Sequence, residues 1–199
     1  MSLQSFQQAV VDLTLSQWVA QGLRKGDAVW LAGYDLTNRE RARLSKIVNQ
    51  PGISVHCSLS RGNRFELIVN AFPMTCVLLR PLLRPLVDEF CQEYRPTNYQ
   101  LSGEQIAFAT VVRRKIAAGE LVIEYLDEIF AYEMACLGLV ERMRSDPADE
   151  VSTMVEFQHS PDDLLPPLSQ LKPPPAGLRA GFYPARVRLR GELFEVEVL

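Results

Sequence analysis

The sequence predicts an α+β fold: an N-terminal all-α helical bundle of about six or seven helices, followed by a small antiparallel β-sheet subdomain. Three observations carry this expectation. Up to about residue 146, apolar residues recur at three- and four-residue spacing, the period of amphipathic helices. Ser145-Asp146-Pro147-Ala148-Asp149 then interrupts the pattern, and Val151, Thr153, Val155 and Phe157 alternate with Ser152, Met154 and Glu156, the period of a strand. Near the C-terminus, Gly191-Glu192 separates two runs whose residues match across a hairpin. The domain reading is therefore 1–146 helical and 147–199 a small β subdomain with a Pro-rich connection at 161–184.

In chain order, Leu3, Phe6, Val10, Leu13 and Val19 place one helix over 3–21, ended by Gly22 and Lys25-Gly26-Asp27. Asp35-Leu36-Thr37 offers caps for a helix from Asn38 to Val48, closed by Asn49-Gln50-Pro51-Gly52. Ser60 is the expected N-cap of the next helix. In it Phe65, Ile68, Val69 and Phe72 share one face with Arg61, and Arg64 lies at the edge. Pro73 stops that helix and pre-sets the first turn of another, which breaks near Arg80-Pro81. Leu83, Leu86, Val87 and Phe90 mark a helix over 82–94, and Arg95-Pro96-Thr97-Asn98 a turn. Ser102 and Gln105 form a capping box for a helix to about Ala118, with Arg113-Arg114-Lys115 at its negative end and Gly119 after it.

The last long helix is expected over 121–144. Val122, Leu126, Ile129, Cys136, Leu137 and Val140 form its apolar face, and Glu133 lies in the middle of that face. A buried carboxylate without compensation costs several kcal/mol, so a cation is expected beside it, supplied by Arg61 or Arg64. Residues 161–184 hold seven of the 13 prolines, which predicts an irregular connection with one helical turn around Leu164. In the hairpin, a type II′ turn at Gly191-Glu192 sets Leu189 opposite Phe194 and Val187 opposite Val196. The other face then pairs Arg188 with Glu195 and Arg186 with Glu197. Moving the turn by one residue puts Arg188 opposite Leu193, so the register is specified. With 151–157 this makes a sheet of about three strands with an open edge.

Composition narrows the function classes. The chain is 47% hydrophobic and 23% charged, with no apolar run long enough to span a bilayer and no signal-peptide pattern, so a cytoplasmic protein with no membrane partner is expected. A net charge of −3 gives no general attraction for polyanions. Arg39, Arg41, Arg43 and Lys46, against the single Glu40, nevertheless make the helix 38–48 a candidate nucleic-acid contact or a dock for an acidic partner. Cys57, Cys76, Cys91 and Cys136 include no CxxC pair and read as reduced, mostly buried thiols. His56 and Cys57 are adjacent in a segment read as extended, which points them apart and makes a nucleophile–base couple improbable. No phosphate loop, nucleophile elbow, HExxH or EF-hand is present. The acid pairs Asp88-Glu89 and Asp127-Glu128 read as solvated helix faces. No catalytic residue, metal ligand or cofactor is assigned.

One run of motifs carries a resemblance. Arg61-x-Asn63, Phe72-Pro73, Leu78-Leu79, Phe90-x-x-x-Tyr94-Arg95-Pro96 and Tyr125-Leu126-x-x-Ile129-x-x-x-Glu133 together resemble a bacterial family catalogued as a DNA-binding domain. Its members include partner proteins of multinuclear iron-dependent oxidases in ribosomally made, modified-peptide pathways such as methanobactin biosynthesis. The resemblance covers roughly residues 60–140. It implies a helical N-terminal domain followed by a small strand-containing one, with no chemistry of its own and an oxidase and its precursor peptide as partners. It places Arg61, Asn63, Phe72, Pro73 and Glu133 at recurrent, architectural positions. Arg80-Pro81 stands where the family often has glycine, and residues 1–59 show no clear correspondence.

Three readings follow. The first is a non-catalytic accessory protein that binds a peptide-modifying enzyme and adds its peptide to the C-terminal sheet near Arg186, Arg188, Glu195 and Glu197. The second is a DNA-binding transcriptional regulator using the helix 38–48. The third is a helical protein holding a small ligand or metal near Glu133.

Overall fold

The computed structural model describes residues 3–94 and 101–199. Among them the chain forms nine α-helices and a three-stranded antiparallel sheet, an α+β fold. The helices are α1 (Leu3–Leu15), α2 (Gln17–Arg24), α3 (Asn38–Val48), α4 (Pro51–Ala71), α5 (Pro73–Leu78), α6 (Leu83–Glu93), α7 (Leu101–Ala117), α8 (Leu126–Ser145) and α9 (Pro161–Ser169). The strands are β1 (Val151–Phe157), β2 (Tyr183–Arg190) and β3 (Leu193–Val198). No described helix is long and apolar enough to cross a membrane.

Two compact units divide the chain differently from a break at 146. One comprises described residues 3–67, 85–94 and 101–104, and the other 68–84 and 105–199. The expected sheet region therefore belongs with α5, α8 and α9. The expected turn at 95–98 lies outside the described residues, and so does the side chain of Ser102, which falls inside α7.

In the first unit the single helix expected over 3–21 is two. Ser16 is extended and its hydroxyl accepts from the Val19 amide, which starts α2 afresh. Gly22 therefore lies within α2 rather than ending it, and its bare Cα faces the Trp30 indole with no room for a Cβ. The chain turns instead at Gly26, where φ is +80°. α3 has the expected bounds because Thr37 and Glu40 form a complete capping box. α4 differs most. Pro51 opens it, where a missing N–H costs nothing, and it runs unbroken through Ser60. His56 and Cys57 are therefore helical, with His56 exposed and Cys57 buried. The core of this unit gathers Leu13, Val19, Leu31, Leu44, Val48 and Cys57.

In the second unit, α4 ends at Ala71 and Pro73 opens α5 as expected. Phe72 between them is fully buried against the rings of Phe108 and Phe130, 6.1 and 5.7 Å away. α8 begins at Leu126 rather than 121. Tyr125 takes a left-handed φ of 65°, which excludes a helical approach, while its hydroxyl donates to the Pro175 carbonyl and accepts from the Leu178 amide. Val122, expected on the apolar face, is 87% exposed. α9 is longer than the single turn expected. Pro161 sits in its first turn, and Leu164 and Leu168, one turn apart and fully buried, hold it despite Pro166 and Pro167.

The sheet has the order β1-β2-β3. Its pairs include Leu189 with Phe194, Val187 with Val196, Arg188 with Glu195 and Arg186 with Glu197, the register read from the sequence. Gly191 carries φ +59° at the turn. Val155, Phe157, Ala185, Val187 and Leu189 pack with Ile129, Tyr132 and Leu139 of α8 and with the α9 leucines. All four cysteines are free thiols, with Cys57 and Cys76 buried.

Candidate functional site

The expected ion pair between Glu133 and an arginine does not form. Glu133 is 4% exposed, and its two oxygens accept from the backbone amides of Met74 at 2.6 Å and Thr75 at 2.8 Å. These are first-turn amides of α5, which have no partner within their own helix. The helix start supplies both the hydrogen bonds and the partial positive charge that a cation was expected to bring. Burial pushes the carboxyl up to about 7, against the hydrogen bonds from Thr75 and Met74 that favour ionisation.

Both arginines have other partners. Arg64 lies within the buried stripe rather than at its edge, and Phe65, expected inside, is 38% exposed. The Arg64 Nε donates to Glu104 at 2.9 Å and its Nη2 to the Tyr94 carbonyl at 3.0 Å. Its guanidinium also lies 4.8 Å above the Phe90 ring, which stacks on Tyr94. Arg61 pairs with Asp88, half-buried rather than on a solvated face. Of the five residues expected at architectural positions, Phe72 and Glu133 are buried between helices, Pro73 opens α5, Arg61 pairs with Asp88, and Asn63 is exposed.

Another buried carboxylate was expected at the surface. Glu128, expected on a solvated face, is 7% exposed, and one oxygen accepts from the Gln158 and His159 amides at 2.8 and 3.0 Å. The other lies 2.6 Å from Nδ1 of His159, whose ring stands edge-on to Tyr125. The position of Glu128 in the first turn of a helix is a common place for an acid, so the sequence held no signal that it turns inward.

On α3, Arg39, Arg43 and Lys46 are exposed at i, i+4 and i+7 and share one face. Arg41 does not join them. It turns back to the carbonyls of Leu36, Leu31 and Tyr34 at 3.4 to 3.5 Å.

The C-terminal sheet has a more distinctive geometry. Arg186 and Arg188 lie on the central strand β2, both of whose edges are taken by neighbouring strands. They therefore cannot receive an added strand, as their grouping with Glu195 and Glu197 implied. Their guanidinium groups build an outer-face lattice. Arg188 pairs diagonally with Glu197, Arg186 lies 3.8 Å from Glu197, and Arg190 bonds Glu150 at 2.6 Å. The bond from Arg190 holds the Glu150 carboxyl below its ordinary range.

β3 is an edge strand of the sheet. The Leu199 amide bonds the Pro184 carbonyl at 2.9 Å, and hydrogen-bonded pairs alternate along an antiparallel ladder. The amides of Leu193, Glu195 and Glu197 thus point to β2, and those of Phe194, Val196 and Val198 point outward. The side chains of the latter three continue the inner face of the sheet beyond Leu189, Val187 and Ala185. The β2 residues are at most 3% exposed, whereas Phe194 and Val198 are each 40% exposed. Under this end of the sheet lies a groove of about 360 Å³ lined by Val140, Met143, Arg144, Leu189, Gly191, Glu192 and Phe194. Val140, Met143 and Arg144 come from the C-terminal end of α8, a contribution no local pattern reveals.

No family model, curated protein or solved structure matches this chain.

Proposed function

We propose that the protein is a non-catalytic accessory subunit that binds a peptide-modifying enzyme and presents that enzyme's precursor peptide as a fourth strand on β3. The observation that carries this reading is the β3 edge, with three outward backbone positions, a partly exposed apolar inner face and a groove beneath it. An exposed edge is a template for backbone pairing, and alternate side-chain pockets beside it supply selectivity. The resemblance over residues 60–140 supports an iron-dependent oxidase as the enzyme.

The test is purification from native lysate of the wild type and a Val196→Pro variant. The Val196 amide points away from β2, so proline there spares the ladder hydrogen bonds and obstructs the outer edge, with some loss of the packing Val196 makes on the core. Wild type should retain an enzyme and a short peptide, with slowed amide exchange at Phe194, Val196 and Val198. The variant should keep its melting temperature within a few degrees and lose the peptide. A peptide retained by both, or protection confined to other elements, would overturn the reading.

A second reading, a DNA-binding regulator, rests on the exposed face of Arg39, Arg43 and Lys46. A gel shift with a steep salt dependence, abolished by charge reversal at Arg39 and Arg43, would establish it. The reading of a ligand or metal at Glu133 loses its support, because both carboxylate oxygens are occupied by backbone amides.

A further inference from the structure

We infer that the segment received by β3 is an extended peptide alternating apolar residues with lysine or arginine; this rests on the strand-addition reading above. The side-chain register of β3 divides the incoming strand into two sets. Residues opposite Phe194, Val196 and Val198 face inward, onto the apolar shelf and toward the groove where Val140, Met143, Leu189 and Phe194 form the apolar lining and Arg144 and Glu192 stand with them. Polar side chains placed there would be desolvated without partners.

Residues opposite Glu195 and Glu197 face outward. β3 itself carries these two carboxylates and no cation. The arginines of the outer face stand on β2, one strand further from the edge, and hold Glu197, so Glu195 is the carboxylate of β3 best placed to meet the charge of an added strand. Opposite charges directly across a strand pair are favourable and like charges are not.

The same arrangement argues against a second copy of this chain as the occupant. Antiparallel pairing of β3 with itself, centred between Glu195 and Glu197, would set each of these glutamates against a glutamate of the other copy. A guard of inward or repelling charge is a recognised way to keep edge strands from self-pairing. Here it rejects the copy while attracting a basic segment.

The experiment uses the full chain and fluorescent synthetic peptides alternating valine with lysine, valine with glutamate, and valine with lysine carrying N-methyl groups on alternate amides. At low salt the valine–lysine peptide should bind about tenfold tighter than the valine–glutamate one, with the gap narrowing as salt is added. Glu195→Lys, at an exposed position whose amide pairing to β2 is unchanged, should erase or reverse the preference. N-methylation should abolish binding. Equal binding of acidic and basic peptides, both blocked by N-methylation, would overturn the charge rule and leave strand addition standing. No binding by any peptide and no change in β3 amide exchange would overturn both. A concentration-dependent dimer lost on Val196→Pro would also overturn the inference, since β3 would then accept its own acidic sequence.

Discussion

Arg64 and Glu104 stand 40 residues apart in sequence and 2.9 Å apart in space, with both side chains less than a tenth exposed. A buried pair of this kind stabilises little compared with apolar replacement, yet removing one partner strands the other charge. Glu104→Leu should cost about 3–5 kcal/mol in urea unfolding, as should Arg64→Met, and the two together should recover most of the loss. Strictly additive effects in this cycle would show that the two side chains are not coupled.

Glu133 should make stability depend on pH near neutrality. Its carboxyl rises from an ordinary 4.5 to about 7 in the folded chain, because burial outweighs the amides of Met74 and Thr75. Between those values the folded state holds more protons than the unfolded one, so stability is greatest below pH 4.5 and declines as pH climbs to about 7. The full decline is on the order of 3 kcal/mol. Glu133→Gln should flatten this part of the curve and lie about 1–3 kcal/mol below wild type at pH 5, because its amide nitrogen cannot accept from the second of the two backbone donors, as followed by urea midpoints across the range. An unchanged slope would assign the dependence to other groups.

Gly22 tests the packing of α2 on the turn before α3. A Cβ there meets the Trp30 indole directly. Gly22→Ala should therefore destabilise by about 1–3 kcal/mol even though alanine is the better helix former. Combining it with Trp30→Leu should restore part of the loss, measured by thermal melts and by the shift of tryptophan emission in the single variant.

At the hairpin, Gly191 holds φ +59°. Gly191→Ala should cost about 1 kcal/mol and Gly191→Asn less, since asparagine tolerates the left-handed region. Faster amide exchange at Leu193 and Arg190, with little change in the first unit, is the expected signature.

What was legible in the sequence was local. β1 and the β2–β3 register follow from period-two alternation and one glycine, and α3 from the caps at Asp35-Leu36-Thr37 and the stop at Asn49-Gln50-Pro51-Gly52. Each of these uses partners within a few residues. Glu133 was read correctly as buried but given the wrong partner. Its need for positive charge is local information, whereas the approach of the α5 N-terminus, 58 residues away at Thr75, is tertiary. Ser60 looks like a cap, yet the burial of Cys57 and Arg64 either side of it keeps α4 continuous. The prolines of α9 argue against a helix until Leu164 and Leu168 are known to be buried together. The groove at β3 was invisible for the same reason, since three of its seven lining residues come from α8.

The buried thiols make this protein its own stopwatch. Cys57 belongs to one compact unit and Cys76 to the other, and burial raises both thiols, Cys76 to about 12. A thiol reagent consumes thiolate, which the folded chain withholds at these positions. Labelling at Cys57 thus counts openings of the first unit and labelling at Cys76 counts openings of the second. Mass-resolved labelling of one sample in water would tell whether the two breathe together or apart, with no denaturant and no introduced probe.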